Sequence, residues 1–199
     1  MTRSVCFGPD RTKMKEEFKR ISLEGRTYAW TGKKWVDVET FTNPAAVTVN
    51  KLNAILLLRL KEEDEKITDT DQLISRARNA KTQTQYGRAE GLARRALQLS
   101  PGNLWAVTVL CSCLRALGKP EDALRESAPY KNEIFPPMIT TRAAALCDLG
   151  RWEEAKIEIS RVFSIQRKHD LWHYLEPSIV LKRIKSARPE LFKGKLGSA

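Results

Sequence analysis

Residues 85–103 read QYGRAEGLARRALQLSPGN, and the spacing within that stretch decides the fold. Tyr86, Ala89, Ala93 and Ala96 recur at three- and four-residue steps, which places them on one face of an α-helix. Leu92, Leu97 and Leu99 widen the apolar surface, while Arg88, Arg94, Arg95 and Gln98 point elsewhere. Ser100-Pro101-Gly102-Asn103 then stops the helix, because proline cannot continue it and Gly-Asn suits a tight turn. A stripe of alanine lets a neighbouring backbone come very close. A helix of this kind gains its stability from stacking, not from itself.

The pattern returns downstream. Ala123 lies 34 residues after Ala89, and Ala155 lies 32 residues after Ala123. Around them stand Leu117-Gly118-Lys119-Pro120-Glu121-Asp122-Ala123-Leu124 and Leu149-Gly150-Arg151-Trp152-Glu153-Glu154-Ala155. In each, an apolar residue and a glycine close one helix, two spacers follow, and an acidic first turn precedes the alanine. Gly118 and Gly150 suit the left-handed residue that ends a helix, and the acids favour the positive end of the next one. A period of about 34 residues built as helix–turn–helix is a repeat-array signature.

The chain resembles the tetratricopeptide repeat family over roughly residues 70 to 168. The matching residues are Tyr86, Ala89, Ala93, Ala96 and Pro101 in the first copy. In the second they are Leu110, Leu114, Gly118, Ala123 and Leu124, and in the third Ala143, Leu146, Gly150, Trp152 and Ala155. Cys111 stands where a glycine or alanine is usual, Pro120 and Pro129 are unusual, and Arg167 takes the closing proline's place. The fold implied is mainly α: a short α–α superhelix with a small N-terminal β-hairpin and terminal capping helices. The helix pairs are expected at 71–81 and 85–99, 104–117 and 121–131, and 138–149 and 152–165. Glu133 to Pro137 is expected as a rigid connection set by Pro136-Pro137.

Residues 1–66 form an N-terminal cap region in this reading. Its hairpin, at about 26–38, rests on the strand formers Tyr28, Trp30, Trp35, Val36 and Val38 around a turn near Thr31–Lys34. Tyr28, Trp30 and Trp35 allow an aromatic platform for a sugar or a base. The preferred reading is packing, since a two-stranded ribbon is marginal without burial. A helix at about 44–60 is expected to be capped by Asn43, started by Pro44, and lined with Val49, Leu52, Ile55, Leu56 and Leu60. It is expected to pack on the first repeat with the hairpin over it. Lys61 to Lys66 reads as a charged hinge, and Thr68 to Asp71 as a capping arrangement. Asp10 to Leu23 reads as a short helix with Met14, Phe18 and Ile21 on one side. The repeat domain is expected at 67–186, with Leu171, Trp172, Leu175, Ile179, Leu181 and Ile184 marking a terminal cap. Residues 187–199 are expected to be a disordered tail.

The formal charge of +11 invites a nucleic-acid reading. The excess is +3 over residues 1–66, +3 over 67–103, +2 over 104–168 and +3 over 169–199. Spread this evenly, it gives solubility and attraction to acidic partners, not a dedicated phosphate track. Cys6, Cys111, Cys113 and Cys147 lack disulfide spacing and read as packing residues in a reducing compartment. Met1 to Arg20 lacks the apolar core of a leader, and the run Leu52 to Leu60 is too short to span a bilayer. A cytoplasmic protein without a membrane segment is expected.

Catalytic signals are absent from the sequence. His169 and His173 lie four apart, as metal-binding pairs do, but no carboxylate stands at a matching step, so neither a metal nor another cofactor is expected. No Gly-rich phosphate loop, GxSxG or paired CxxC occurs. The family resemblance instead implies a concave surface lined by the first helix of each repeat. Its residues would be Arg78, with Ile74 and Ser75 beside it, then Trp105, Thr108, Ser112 and Arg115, then Thr140, Thr141 and Asp148. Arg78 and Arg115 are expected to bond a partner's carboxylate or phosphate. The lysine/asparagine set with which some family members hold a C-terminal carboxylate is absent, so no chaperone-tail clamp is expected. The function implied is a non-catalytic scaffold or adaptor that binds a partly acidic peptide or helix of another protein. Nucleic-acid binding ranks second, and self-association through the hairpin or end helix third.

Overall fold

The computed structural model describes residues 20–31, 33–169 and 176–192 and separates the chain into two units, Met1–Lys66 and Ile67–Ala199. In the first unit the hairpin has a third strand. β1 (Arg20–Leu23), β2 (Arg26–Trp30) and β3 (Trp35–Asp37) pair antiparallel in chain order. The register sets Ile21 opposite Tyr28, Tyr28 opposite Asp37 and Trp30 opposite Trp35. Glu24 and Gly25 make the first turn with φ of 53° and 78°, the pair of positive values that a type I′ hairpin needs. The helix expected over Asp10–Leu23 is therefore corrected for residues 20–23; the rest of it lies outside the described residues. Ile21, which fitted a helical stripe, is instead buried in the sheet at 1% exposure.

Helix α1 (Ala46–Glu65) covers the inner face of this sheet. Ile21, Tyr28, Trp35 and Leu52 form the buried centre, edged by Leu23, Trp30, Val49, Ile55 and Leu56. The Trp35 indole N–H donates to Asn53 Oδ1 at 2.8 Å, and Arg59 Nη1 donates to the Arg20 carbonyl at 3.0 Å. Two expectations need correction. Asn43 is not the cap: the helix begins at Ala46, with Ala45 before it and no side-chain cap. Nor is Lys61–Lys66 a hinge, because the helix runs on to Glu65. Lysine and glutamate are good helix formers, and Lys61 pairs with Glu65 at 3.9 Å one turn on. Leu57 and Leu58 of the same helix are exposed.

The second unit holds seven helices among its described residues: α2 (Thr70–Thr82), α3 (Tyr86–Leu99), α4 (Leu104–Ala116), α5 (Pro120–Ser127), α6 (Pro136–Asp148), α7 (Trp152–His169) and α8 (Glu176–Ala187). Short 3-10 turns follow α5 (Ala128–Tyr130) and α8 (Pro189–Phe192). Successive helices pack as neighbours, and α4 also meets α6 across the pairs. The seam alanines are where the spacing put them: Ala77, Ala89, Ala93, Ala96, Ala143 and Ala155 are all at 0% exposure. Around them Leu73, Leu110, Leu114, Ile159 and Val162 fill the interior. The mainly α fold with a short helical superhelix and a small N-terminal sheet is borne out.

Local chemistry sets the helix ends. Asp69 caps α2, accepting from the Gln72 N–H at 2.7 Å. Asn103 caps α4, accepting from the N–H groups of Trp105 and Ala106, both at 3.1 Å. Gly118 and Gly150 end α4 and α6 with φ of 75° and 71°, a conformation a Cβ would strain. Pro120 opens α5, where a missing N–H costs nothing. Pro136 and Pro137 likewise lie in the first turn of α6, which corrects their reading as a connection. The end of the chain departs from expectation in two ways. Val180 and Ile184, not Ile179, carry the buried stripe of α8, and Ile179 is 68% exposed. Residues 189–192 of the expected tail form a turn whose Leu191 and Phe192 pack on the α6–α8 core.

Candidate functional site

Two adjoining hollows line the α2 and α4 side of the array. The first, about 420 Å³, is walled by Asp71, Ile74, Ser75, Arg78, Asn79 and Thr82 of α2 and by Trp105 of α4. Trp105 is the second residue of α4, two after the cap Asn103, and is 43% exposed. The Arg78 guanidinium lies over the indole, 5.2 Å from its centroid, and the Phe135 ring meets it edge-on at 5.0 Å. Arg78 makes no ion pair among the described residues. Such an arrangement leaves a large apolar face, fixed in place, beside an uncommitted cation.

The second hollow, about 380 Å³, is lined by Lys81, Tyr86, Ser112, Arg115, Ala116 and Asp148. Here Arg115 and Asp148 meet each other: Arg115 Nε donates to Asp148 Oδ2 at 2.7 Å. Arg183 of α8 donates to the other carboxylate oxygen at 2.6 Å, and its guanidinium also lies 5.9 Å from the Trp152 ring. Lys81 Nζ donates to the Ser112 hydroxyl at 3.2 Å. Lys81, Tyr86 and Arg183 were not among the residues implied for the groove, and Phe135 was likewise missed. Lys81 and Arg183 sit on regular helical steps but meet Ser112 and Asp148 only across 31 and 35 residues of chain, a relation no local pattern carries.

The three implied threonines lie elsewhere in effect. Thr108, Thr140 and Thr141 are buried at 8%, 2% and 7% exposure. Thr108 and Thr141 each turn their hydroxyl back to a carbonyl of the preceding turn, Leu104 at 2.7 Å and Pro137 at 2.9 Å. Helix α6 packs against α4, α5, α7 and α8, so nearly its whole circumference is enclosed. Of the implied groove residues, Ile74, Ser75, Arg78 and Trp105 line the first hollow and Ser112, Arg115 and Asp148 the second.

In the first unit Tyr28 and Trp35 are buried, at 7% and 2%, against α1, and Trp30 is half-buried with its ring 5.4 Å from Trp35. Packing accounts for those rings. Among the described residues no cluster of three metal-ligating side chains occurs and no helix is long and apolar enough to cross a membrane. His173 lies outside the described residues. Burial pushes the Cys111 thiol up to about 12 and the Cys113 thiol up to about 11, and raises Cys147 as well. All three are free, buried thiols, and packing accounts for them.

A tetratricopeptide repeat family model matches residues 81–130, from the end of α2 through the turn after α5. Comparison with curated proteins finds no match. Among solved structures, the first TPR domain of the human RPAP3 protein is similar at 22% identity and TM-score 0.53, covering 61% of this chain and 93% of that one. The Sgt2 TPR domain from Aspergillus fumigatus is similar at 18% identity and TM-score 0.55, covering 67% and 87%. The first TPR of Spaghetti (RPAP3), bound to the HSP90 peptide SRMEEVD, is similar at 22% identity and TM-score 0.51, covering 60% and 93%. The matched segment and these likenesses bear out the tetratricopeptide assignment, at the level of fold.

Proposed function

We propose that this chain, built on a tetratricopeptide-type array, is a non-catalytic interaction module that seats a peptide or helix of another protein on its α2–α4 face. The observation that carries the reading is Trp105. It is a large ring held in place by Arg78 and Phe135, yet open over nearly half its surface at the wall of a hollow. Fixed, half-open aromatics beside an arginine are the composition of interface hot spots. The cap Asn103 fixes the backbone at Trp105, and Arg78 and Phe135 contact the ring, so less ordering entropy remains to be lost on binding. The neighbour that holds the HSP90 peptide supports the class of partner, a segment of another protein. It does not supply the residues, since the lysine/asparagine set for a terminal carboxylate is absent here.

The test is site-specific photocrosslinking in cells that express the chain. A crosslinker at Ser75 or Asn79, beside the hollow, is compared with one at Gln98 on the exposed face of α3. The expected result is a discrete adduct from the first two positions only, lost when Trp105→Ala is added while the far-UV spectrum is unchanged. Equal adducts from Gln98, or adducts indifferent to Trp105→Ala, overturn the reading. The peptide SRMEEVD is expected to give no saturable binding in fluorescence anisotropy.

A further inference from the structure

The second hollow carries a charge imbalance that the fold does not use up. Lys81 and Arg115 both line it; Asp148, the one acid among the lining residues, is bonded by Arg115 and by Arg183 of α8, and none of its bonds goes to Lys81. Lys81 gives its hydrogen bond to a neutral hydroxyl and has no ion pair among the described residues. Ser112, which accepts that bond, still has its own proton to donate. Arg115 spends Nε on Asp148, and a guanidinium carries five N–H donors in a planar fork. Lysine at the end of α2, with serine and arginine three apart on one face of α4, thus converge on one half-open space.

We propose that this space is an oxyanion subsite of the same face, taking a phosphoryl or carboxylate group from the segment that covers Trp105. Asp148 is then an internal carboxylate, holding Arg115 and Arg183 in position and weakening the site's hold on an outside anion. The inference rests on the interaction reading above for the source of the anion, but the site itself does not need the partner. Ser112 lies seven residues after Trp105 on α4, about 10 Å along the axis. An extended segment covers that distance in about three residues, which spaces the anionic side chain from the group over the indole.

The experiment is an NMR titration of the full chain with inorganic phosphate and, separately, with acetate, read at the Arg115 Nε–Hε and Ser112 amide signals. Saturable shifts at both signals are expected. Lys81→Met is expected to weaken binding about threefold to tenfold, and Asp148→Asn to tighten it by a similar factor, because a like charge is removed. Ser112→Ala, a smaller change, serves as a second weakening variant should Lys81→Met fail to fold. Phosphate binding well ahead of acetate points to a phosphorylated segment; comparable binding points to aspartate or glutamate. No saturable shift with either ion, or shifts equal in the native chain, Lys81→Met and Ser112→Ala, overturns the subsite. Because no partner is present, loss of the subsite and loss of the crosslinked partner are separate outcomes.

Discussion

Arg142 and Glu158 offer the most exacting test of how the stack holds together. Their side chains are 9% and 8% exposed, with the Arg142 Nε 3.6 Å from a Glu158 oxygen. Arg142 Nη1 also donates to the buried Ser127 hydroxyl at 2.8 Å, while its Nε lacks a hydrogen-bond partner. Glu158 has a second cation, Arg161, at 3.0 Å. The two halves of the pair are therefore unequally supported. Glu158→Gln leaves a buried guanidinium facing one hydroxyl and an amide, and breaking a buried pair from that side costs about 3–5 kcal/mol. Arg142→Met leaves Glu158 with Arg161, and methionine fills the vacated stem's space, so the cost is mainly a hydrogen bond and imperfect packing, about 1–2 kcal/mol. Urea denaturation followed by far-UV circular dichroism measures both variants and their combination. The double variant is expected to cost less than the sum by at least about 1 kcal/mol, since the second change removes the charge that the first strands. If Arg142→Met costs as much as Glu158→Gln, or the two add within about 0.5 kcal/mol, the pair is not the asymmetric cluster its geometry describes.

Three further outcomes follow from particular groups. Leu110→Ala, at a position with 0% exposure in the middle of α4, is expected to destabilise the array by about 3–4 kcal/mol through the cavity it opens, measured by the same urea titration. The native thiols of Cys111, Cys113 and Cys147 should resist iodoacetamide at pH 8 and react once urea unfolds the chain, as read by mass spectrometry of their peptides. Asp37 is buried and accepts the N–H groups of Thr40 and Glu39; the Thr40 bond, against the opposing effect of burial, holds its carboxyl below the usual range. A depressed folded value means its contribution is present above the ordinary carboxylate value near about 4 and fades as pH falls through the folded one. Asp37→Asn should therefore lower the urea midpoint of the Trp35 indole signal at pH 6, and the difference from the native chain should shrink as pH falls through the folded value.

Where the sequence could be read, one local cause was enough. Ala89, Ala93 and Ala96 share a face by helical geometry alone, and Asp69, Gly118 and Gly150 act within a single turn. The misreadings arose where two local signals competed or a distant element decided. Ile21 fits a helical stripe with Met14 and Phe18, yet the two-residue Glu24-Gly25 turn folds its segment back as a strand; a Glu-Gly pair is a weaker hairpin signal than Asn-Gly. In α1 the acidic run looked like a boundary and proved to be more helix. The family resemblance implies Thr140 and Thr141 as groove positions of their repeat, but α8 packs on α6 and both are buried. Arg115 looked like an unpaired anchor because Asp148, 33 residues on, is invisible to local pattern.

The same distinction bears on the basic charge. An excess spread evenly along a chain says nothing about which cations remain available, and the structure divides them. Arg94 is held by Glu90 and Glu126, Arg151 by Glu154, Arg161 by Glu158 and Arg188 by Glu153 and Glu190. A guanidinium already bonded to a carboxylate gains little by exchanging it for a phosphate, because the Coulomb term is largely present before binding. Arg78 and Lys81 are the contrast: one rests on a ring and the other on a hydroxyl, and both lie on the α2 side of the hollows. Lys33, Lys34, Lys66, Lys119 and Lys182 also carry no ion pair among the described residues, so what sets Arg78 and Lys81 apart is that both border hollows on one face. A single short segment, with an apolar group over Trp105 and an anion beside Ser112, would meet both at once. The company these two cations keep, an open indole on the same face, is what supports our reading of a discrete segment of another protein as the occupant.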